Sequence, residues 1–153
     1  MMLAMFEMDL SRIERNTRQP IKVETTNCES EILLFPDSIL TKHPKECIRP
    51  LLNYFDIKYP NVVEAQARLE TAHFTSDVFY NNHNMFGLSR GGKYYKFKHW
   101  WESIIAYRFM VQDRYDGEDN DTAYLNWICT FYAEDTLYRQ KVLSVMKSNT
   151  NNY

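Results

Sequence analysis

One glutamate, Glu70, stands in the segment PNVVEAQARLETAHF with Val63, Ala67 and Phe74 at helical spacing. At 100° per residue these four fall within a stripe of roughly 60°, while Glu64, Arg68 and Thr71 fall on the opposite, polar side. The spacing therefore places Glu70 off the solvated face. A carboxyl among apolar side chains is costly to ionise and holds its proton to higher pH. A carboxylic acid kept neutral near neutral pH can protonate a glycosidic oxygen. The plainer reading of the same residue is a buried glutamate satisfied by backbone or by an arginine.

Other chemistries find little support. Cys28, Cys47 and Cys129 are odd in number and lack CxxC spacing, so they read as free thiols without a disulfide framework or zinc site. The four His residues form no HExxH pattern. The acidic run Asp116–Asp121 (DGEDND) lacks the spaced ligands and central Gly of a calcium loop and reads as a solvated turn. No metal and no cofactor are expected. A net charge of −2 gives no reason to expect nucleic acid or an anionic membrane as partner, and no window approaches a membrane-spanning apolar run. The aromatic share of 15% is high and suits either sugar-binding platforms or an aromatic core.

The elements that must position Glu70 follow from local signals. Asn61 is placed as an N-cap with Glu64 three residues on, and the helix is expected to run to about His73. Glu64 and Arg68 are spaced as an i,i+4 ion pair. Ahead of it, Ile48, Leu51, Leu52 and Phe55 have helical spacing, with a regular start at Pro50. A short turn capped by Ser76 or Thr75 is expected over Ser76–Tyr80. Met85–Phe97 reads as a hairpin turning at Gly91-Gly92. Helices are expected over Trp100–Tyr115, from an Asp121 cap through Ile128, and over Thr136–Lys147. The last presents Leu137, Tyr138, Val142, Val145 and Met146 inward.

The 153 residues suit one domain, over 41–147, with a frayed tail at 148–153. Residues 1–40 read either as an arm that packs on the domain or docks on a protein partner, or as a disordered leader. The first residues lack the apolar run and cleavage site of a signal peptide.

Three motifs carry a family resemblance. Ala65-Gln66-Ala67-Arg68-Leu69-Glu70-Thr71 resembles an AQA-x-LE(S/T) helix. Asn82-His83-Asn84-Met85-Phe86-Gly87-Leu88 resembles an NN-(L/M)-FG-(I/L) turn. Tyr132-Ala133-Glu134-Asp135 with Tyr138 is similar to YA-(T/E)-D-x-x-Y, and Glu102-Ser103 fits a "(D/E)S" helix start. In this order, across about residues 50 to 147, they resemble the glucosaminidase domain of bacterial and phage cell-wall hydrolases, glycoside hydrolase family 73. The resemblance implies a mainly α, lysozyme-like helical domain with one short β-hairpin. It implies an endo-β-N-acetylglucosaminidase that cuts peptidoglycan at the β-1,4 bond after N-acetylglucosamine. Glu70 would be the general acid and Tyr132 would stand across the cleft, with Asn82, Asn84, Phe86 and Tyr80 toward the substrate. Plain core packing is the competing role for Phe86.

The chain departs from the family in one respect. Family members often carry a longer β-lobe with a second acidic residue, and here Leu88–Trp100 contains no Asp or Glu. Glu102 and Asp77 are the candidate second carboxylates, though Glu102 is better placed for capping. Two routes need only one acid: attack by the substrate's 2-acetamido group, or attack by the 6-hydroxyl as in lytic transglycosylases. The family's bond favours the first. The alternatives are a wall-binding or virion or secretion-apparatus module with weak or no activity, and a lysozyme-like enzyme on chitin-type oligomers. Delivery would be by lysis, a phage particle or a secretion machine.

Overall fold

The computed structural model describes residues 42–132 and 135–150, apart from the side chain of Thr150. The arm expected over 1–40, Cys28, Ala133, Glu134 and the last three residues lie outside the described residues. Within them the elements are α1 (Pro44–Tyr54), α2 (Pro60–Glu70), α3 (Asp77–Asn82), β1 (Ser89–Arg90), β2 (Lys93–Tyr94), α4 (Glu102–Met110), a 3₁₀ turn (Gln112–Arg114), α5 (Asp121–Ile128) and α6 (Tyr138–Thr150).

α2 is the axis of the domain. Val62, Val63, Glu64, Ala65, Gln66 and Ala67 are all buried, so the helix is enclosed on every side along its middle. It packs most extensively on α6 and also on α1 and α5. The alanines leave room for close neighbours, while Val62 and Val63 each contribute roughly 1.5–3 kcal/mol by burial. From α6, Tyr138 and Val142 enter the core. Leu137, expected to face inward, is exposed because α6 starts only at Tyr138. Residues 148–150, expected to fray, continue the helix.

Several boundaries differ from the sequence reading for local reasons. α1 starts at Pro44 rather than Pro50: Pro44 suits the first turn, and the His43 ring accepts from the Lys45 N–H at 3.3 Å. Pro50 is tolerated inside α1 because it and Glu46, whose carbonyl it deprives of a donor, are both exposed to water. α2 is not capped by Asn61. Tyr59, in the left-handed region at φ 55°, holds the cap position with Pro60 next, and its ring stacks on Tyr124 at 4.3 Å. Asn61 instead accepts from Arg49 (2.9 Å) and donates to Asp121 (2.8 Å), tying α1, α2 and α5 together. α5 is capped by Asn120, whose side chain accepts from the Ala123 N–H at 2.8 Å, not by Asp121. Ser76 caps α3 as expected.

The hairpin is minimal. Ser89 pairs with Tyr94 and Arg90 with Lys93, and Gly91 and Gly92 turn between them at φ 55° and 77°. Two successive positive φ values fit the two-residue turn that matches strand twist, and glycine enters that region without a Cβ penalty.

Candidate active site

Glu70 is the last residue of α2, and the helix stops there abruptly. Ala72, His73 and Phe74 all adopt left-handed φ values, 48°, 58° and 65°. For non-glycine residues this costs on the order of 1 kcal/mol each. Thr71 holds the bend together. Its buried hydroxyl donates to the Ala67 carbonyl (2.6 Å) and accepts from the Phe74 N–H (2.8 Å), and its carbonyl accepts from Thr75 and Ser76, both at 3.0 Å. The helix therefore cannot run on to His73, and Glu70 emerges at its end rather than along its flank.

The Phe-Gly corner comes up against this acid. A Cβ on Gly87, which lies at φ 61°, would stand 3.5 Å from Glu70 Oε2. Asn84 builds the corner: its Oδ1 accepts from Leu88 N (3.0 Å) and Phe86 N (3.4 Å), and its Nδ2 donates to the carbonyls of Leu88 (2.8 Å) and Tyr95 (3.1 Å). Phe86 is buried, its ring 4.3 Å from that of Tyr107. The Tyr132 hydroxyl donates to the Phe86 carbonyl, one residue from Gly87.

Behind Glu70 runs a buried chain of hydrogen bonds. Tyr107 donates to Gln66 Oε1 at 2.6 Å, which leaves Tyr124 to donate across the 2.9 Å between the two hydroxyls. Gln66 Nε2 donates to the Tyr138 hydroxyl at 3.1 Å, and Tyr138 donates in turn to the Glu70 carboxyl. The order of donors is set by the amide: with its oxygen lone pair taken by Gln66, Tyr138 turns its proton toward Glu70. Burial holds the Tyr107, Tyr124 and Tyr138 hydroxyls well above the ordinary phenol value, so all three keep their protons. Gln66 lies one turn before Glu70 on the same helix.

The pKa of Glu70 is raised, first by desolvation and against a smaller lowering by the Tyr138 hydrogen bond. By surface area the residue is exposed, contrary to the placement off the solvated face. The two observations agree for a carboxyl that is reachable from solvent yet crowded by surrounding protein. Glu64 departs from expectation in the opposite sense. Placed on the polar face by its spacing, it is fully buried, and Arg49 and Arg68 hold it at 2.8 Å each. The expected Glu64–Arg68 pair is thus formed, but in the interior.

The other candidates sort by what their side chains already do. Asn84 and Phe86, expected toward the substrate, are both buried, Asn84 bracing the corner and Phe86 packed in the core. Tyr80 is exposed and Asn82 half-buried, its carbonyl accepting from Phe97 N at 2.9 Å. Burial raises the pKa of Tyr132, with Tyr138 and then Glu70 adding to the rise, and its proton is spent on the Phe86 carbonyl. Glu102, one of the two candidate second carboxylates, accepts from Lys98 N (2.9 Å) and His99 N (3.2 Å) and so caps α4's approach. Asp77 is in the first turn of α3. Neither acts on the Glu70 carboxyl.

The family model described as Glucosaminidase: Mannosyl-glycoprotein endo-beta-N-acetylglucosaminidase matches residues 48–151, more than half of the chain. The chain belongs to the glucosaminidase family. As a glucosaminidase it is a glycoside hydrolase of the endo-β-N-acetylglucosaminidase type, as the three motifs implied. The catalytic domain of the autolysin Auto from Listeria monocytogenes is similar in fold to this glucosaminidase, with a TM-score of 0.53 at 18% identity over 96% of this chain and 97% of that one. No curated protein sequence matches the chain significantly. Among the described residues, no helix of this glucosaminidase is long and apolar enough to cross a membrane.

Proposed function

We infer that the protein is a peptidoglycan hydrolase that cuts the β-1,4 bond after N-acetylglucosamine, with Glu70 as the general acid. The observation that carries this reading is Glu70 itself: an accessible carboxyl at a strained helix end, its pKa raised by desolvation, with one hydroxyl donor acting on it. Membership of the glucosaminidase family and the cell-wall motifs support the substrate.

Protonated Glu70 gives its proton to the leaving glycosidic oxygen as that bond breaks. The carbonyl oxygen of the substrate's 2-acetamido group closes on the anomeric carbon, so no second carboxylate is required. Water then opens the cyclic intermediate and gives a proton to the Glu70 carboxylate, restoring the acid. Both protonation states of Glu70 are used, and its surroundings serve each: desolvation favours the acid, and the Tyr138 donor supports the carboxylate. The engagement of Glu102 in capping and the position of Asp77 on α3 favour this one-acid route. Tyr80, exposed on α3, is the side chain we place along the sugar strand.

The test is digestion of purified peptidoglycan by the wild type and by Glu70→Gln, with the new ends identified by mass spectrometry. Reducing N-acetylglucosamine ends, formed about 10³-fold more slowly by the variant, are expected. An undiminished rate in the variant overturns Glu70 as the acid. Anhydro-muramic ends assign a lytic transglycosylase instead, and wall binding without cleavage by either protein assigns a structural module.

A further inference from the structure

From Val78 to Trp101 the sequence contains no Asp or Glu, while Arg90, Lys93, Lys96 and Lys98 add four positive charges to a chain of net charge −2. The hairpin that carries them is fastened to the corner beside Glu70. Tyr95 N donates to the Leu88 carbonyl at 2.9 Å, Asn84 Nδ2 donates to the Tyr95 carbonyl, and Phe97 N donates to the Asn82 carbonyl at 2.9 Å. The His83 ring nitrogen lies 3.0 Å from the Phe97 carbonyl. The root of the hairpin is thus one residue from the Met85-Phe86-Gly87 stretch that meets the acid.

Beyond β2, in the extended stretch that leads to α4, exposure alternates from Tyr95 to Lys98. Tyr95 is half-buried and Phe97 buried, whereas Tyr94, Lys96 and Lys98 are exposed, Tyr94 at 55%. With Tyr95 and Phe97 turned inward, Tyr94, Lys96 and Lys98 are left open to solvent within five residues of one another. Among the described residues, Lys96 and Lys98 form no ion pair. A bare aromatic ring followed by two ammonium groups is a surface for a sugar that carries an acid: the ring takes the apolar sugar face and the ammonium groups take carboxylates.

We propose that the Tyr94–Lys96–Lys98 face binds the carboxylates borne by the muramic residue next to the scissile bond, and so selects acid-substituted strands over neutral ones. The proposal rests on the peptidoglycan reading, under which a cut after N-acetylglucosamine always leaves a muramic sugar as the neighbour. That sugar offers the same chemistry from one of two sources: the carboxylates of its stem peptide where a peptide is attached, or its lactyl carboxylate where the peptide has been removed.

The experiment compares full-length wild type with Lys96→Glu/Lys98→Glu on three soluble substrates: peptide-bearing glycan strands, strands stripped of stem peptide by an amidase, and neutral N-acetylglucosamine oligomers. The expected result is a loss of about tenfold in kcat/KM on the acid-bearing strands, with neutral oligomers cleaved at the wild-type rate. A loss confined to peptide-bearing strands assigns the stem-peptide carboxylates, a loss confined to stripped strands assigns the freed lactyl group, and an equal loss on both shows that the face takes either carboxylate. Uniform loss on all three, or none, overturns the proposal while leaving the hydrolase reading in place. If the wild type cleaves nothing, co-sedimentation with purified peptidoglycan decides. Binding by the wild type that weakens in salt and is lost in the double variant upholds the surface, and equal binding by both overturns it.

Discussion

Glu64 and Glu70 leave the same helix less than two turns apart, and the protein treats them in opposite ways. Glu64 is enclosed completely and answered by two guanidinium groups, and so braces α1 against α2. Glu70 is reachable from solvent, crowded by neutral protein, and answered by one phenol. Burial alone therefore does not choose the acid. A carboxyl crowded by protein with no cation beside it has its charged form disfavoured, and that is the setting of Glu70.

The comparison can be broken from either end. Beyond the loss of activity expected of Glu70→Gln, the largest effect is on folding: Glu64→Gln leaves Arg49 and Arg68 without their anion. A cost of about 3 kcal/mol in denaturant unfolding is expected. Glu70→Gln should unfold close to the wild type, and equal destabilisation by the two would erase the distinction. The next effect sharpens the role of the phenol. Tyr138→Phe removes the donor that lowers the Glu70 pKa, so the alkaline limb of the rate against pH should move upward. An unmoved limb would leave Tyr138 as packing alone. The smallest effect is thermodynamic. Folded Glu70 holds its proton to higher pH than the unfolded chain does, so its contribution to stability is complete below the ordinary glutamate value and drains away as pH rises through the raised one. Glu70→Gln lacks that loss and should melt on the order of 1–2 °C above the wild type at neutral pH, the gap closing in acid.

Periodicity and motif order made much of this legible. The helices, the two-glycine hairpin turn and the Ser76 cap follow from spacing and turn chemistry, because those rules act over a few residues. The faces of α2 did not. A helical wheel assumes one wet side, and α2 has none along its middle, so Glu64 was assigned to water and Glu70 to the interior when each has the other's surroundings. The roles of Gln66, Tyr107 and Tyr124 depend on residues 41 and 17 positions apart meeting in space, which no local pattern records. Asn84 and Phe86 were visible as a motif, but a motif does not say whether a side chain faces a ligand or braces the turn that does.

The end of α2 carries one more consequence. The aligned peptide groups of a helix place roughly half a negative charge at its C-terminus, and the effect is confined to the last turn. Glu70 occupies that position because Thr71 and the three left-handed residues after it stop the helix there. The negative pole of α2 thus adds to the forces that keep this carboxyl protonated. Were the helix to run one turn further, the pole would move past the acid. The strained bend is therefore part of the proton chemistry, although none of its atoms needs to touch the sugar.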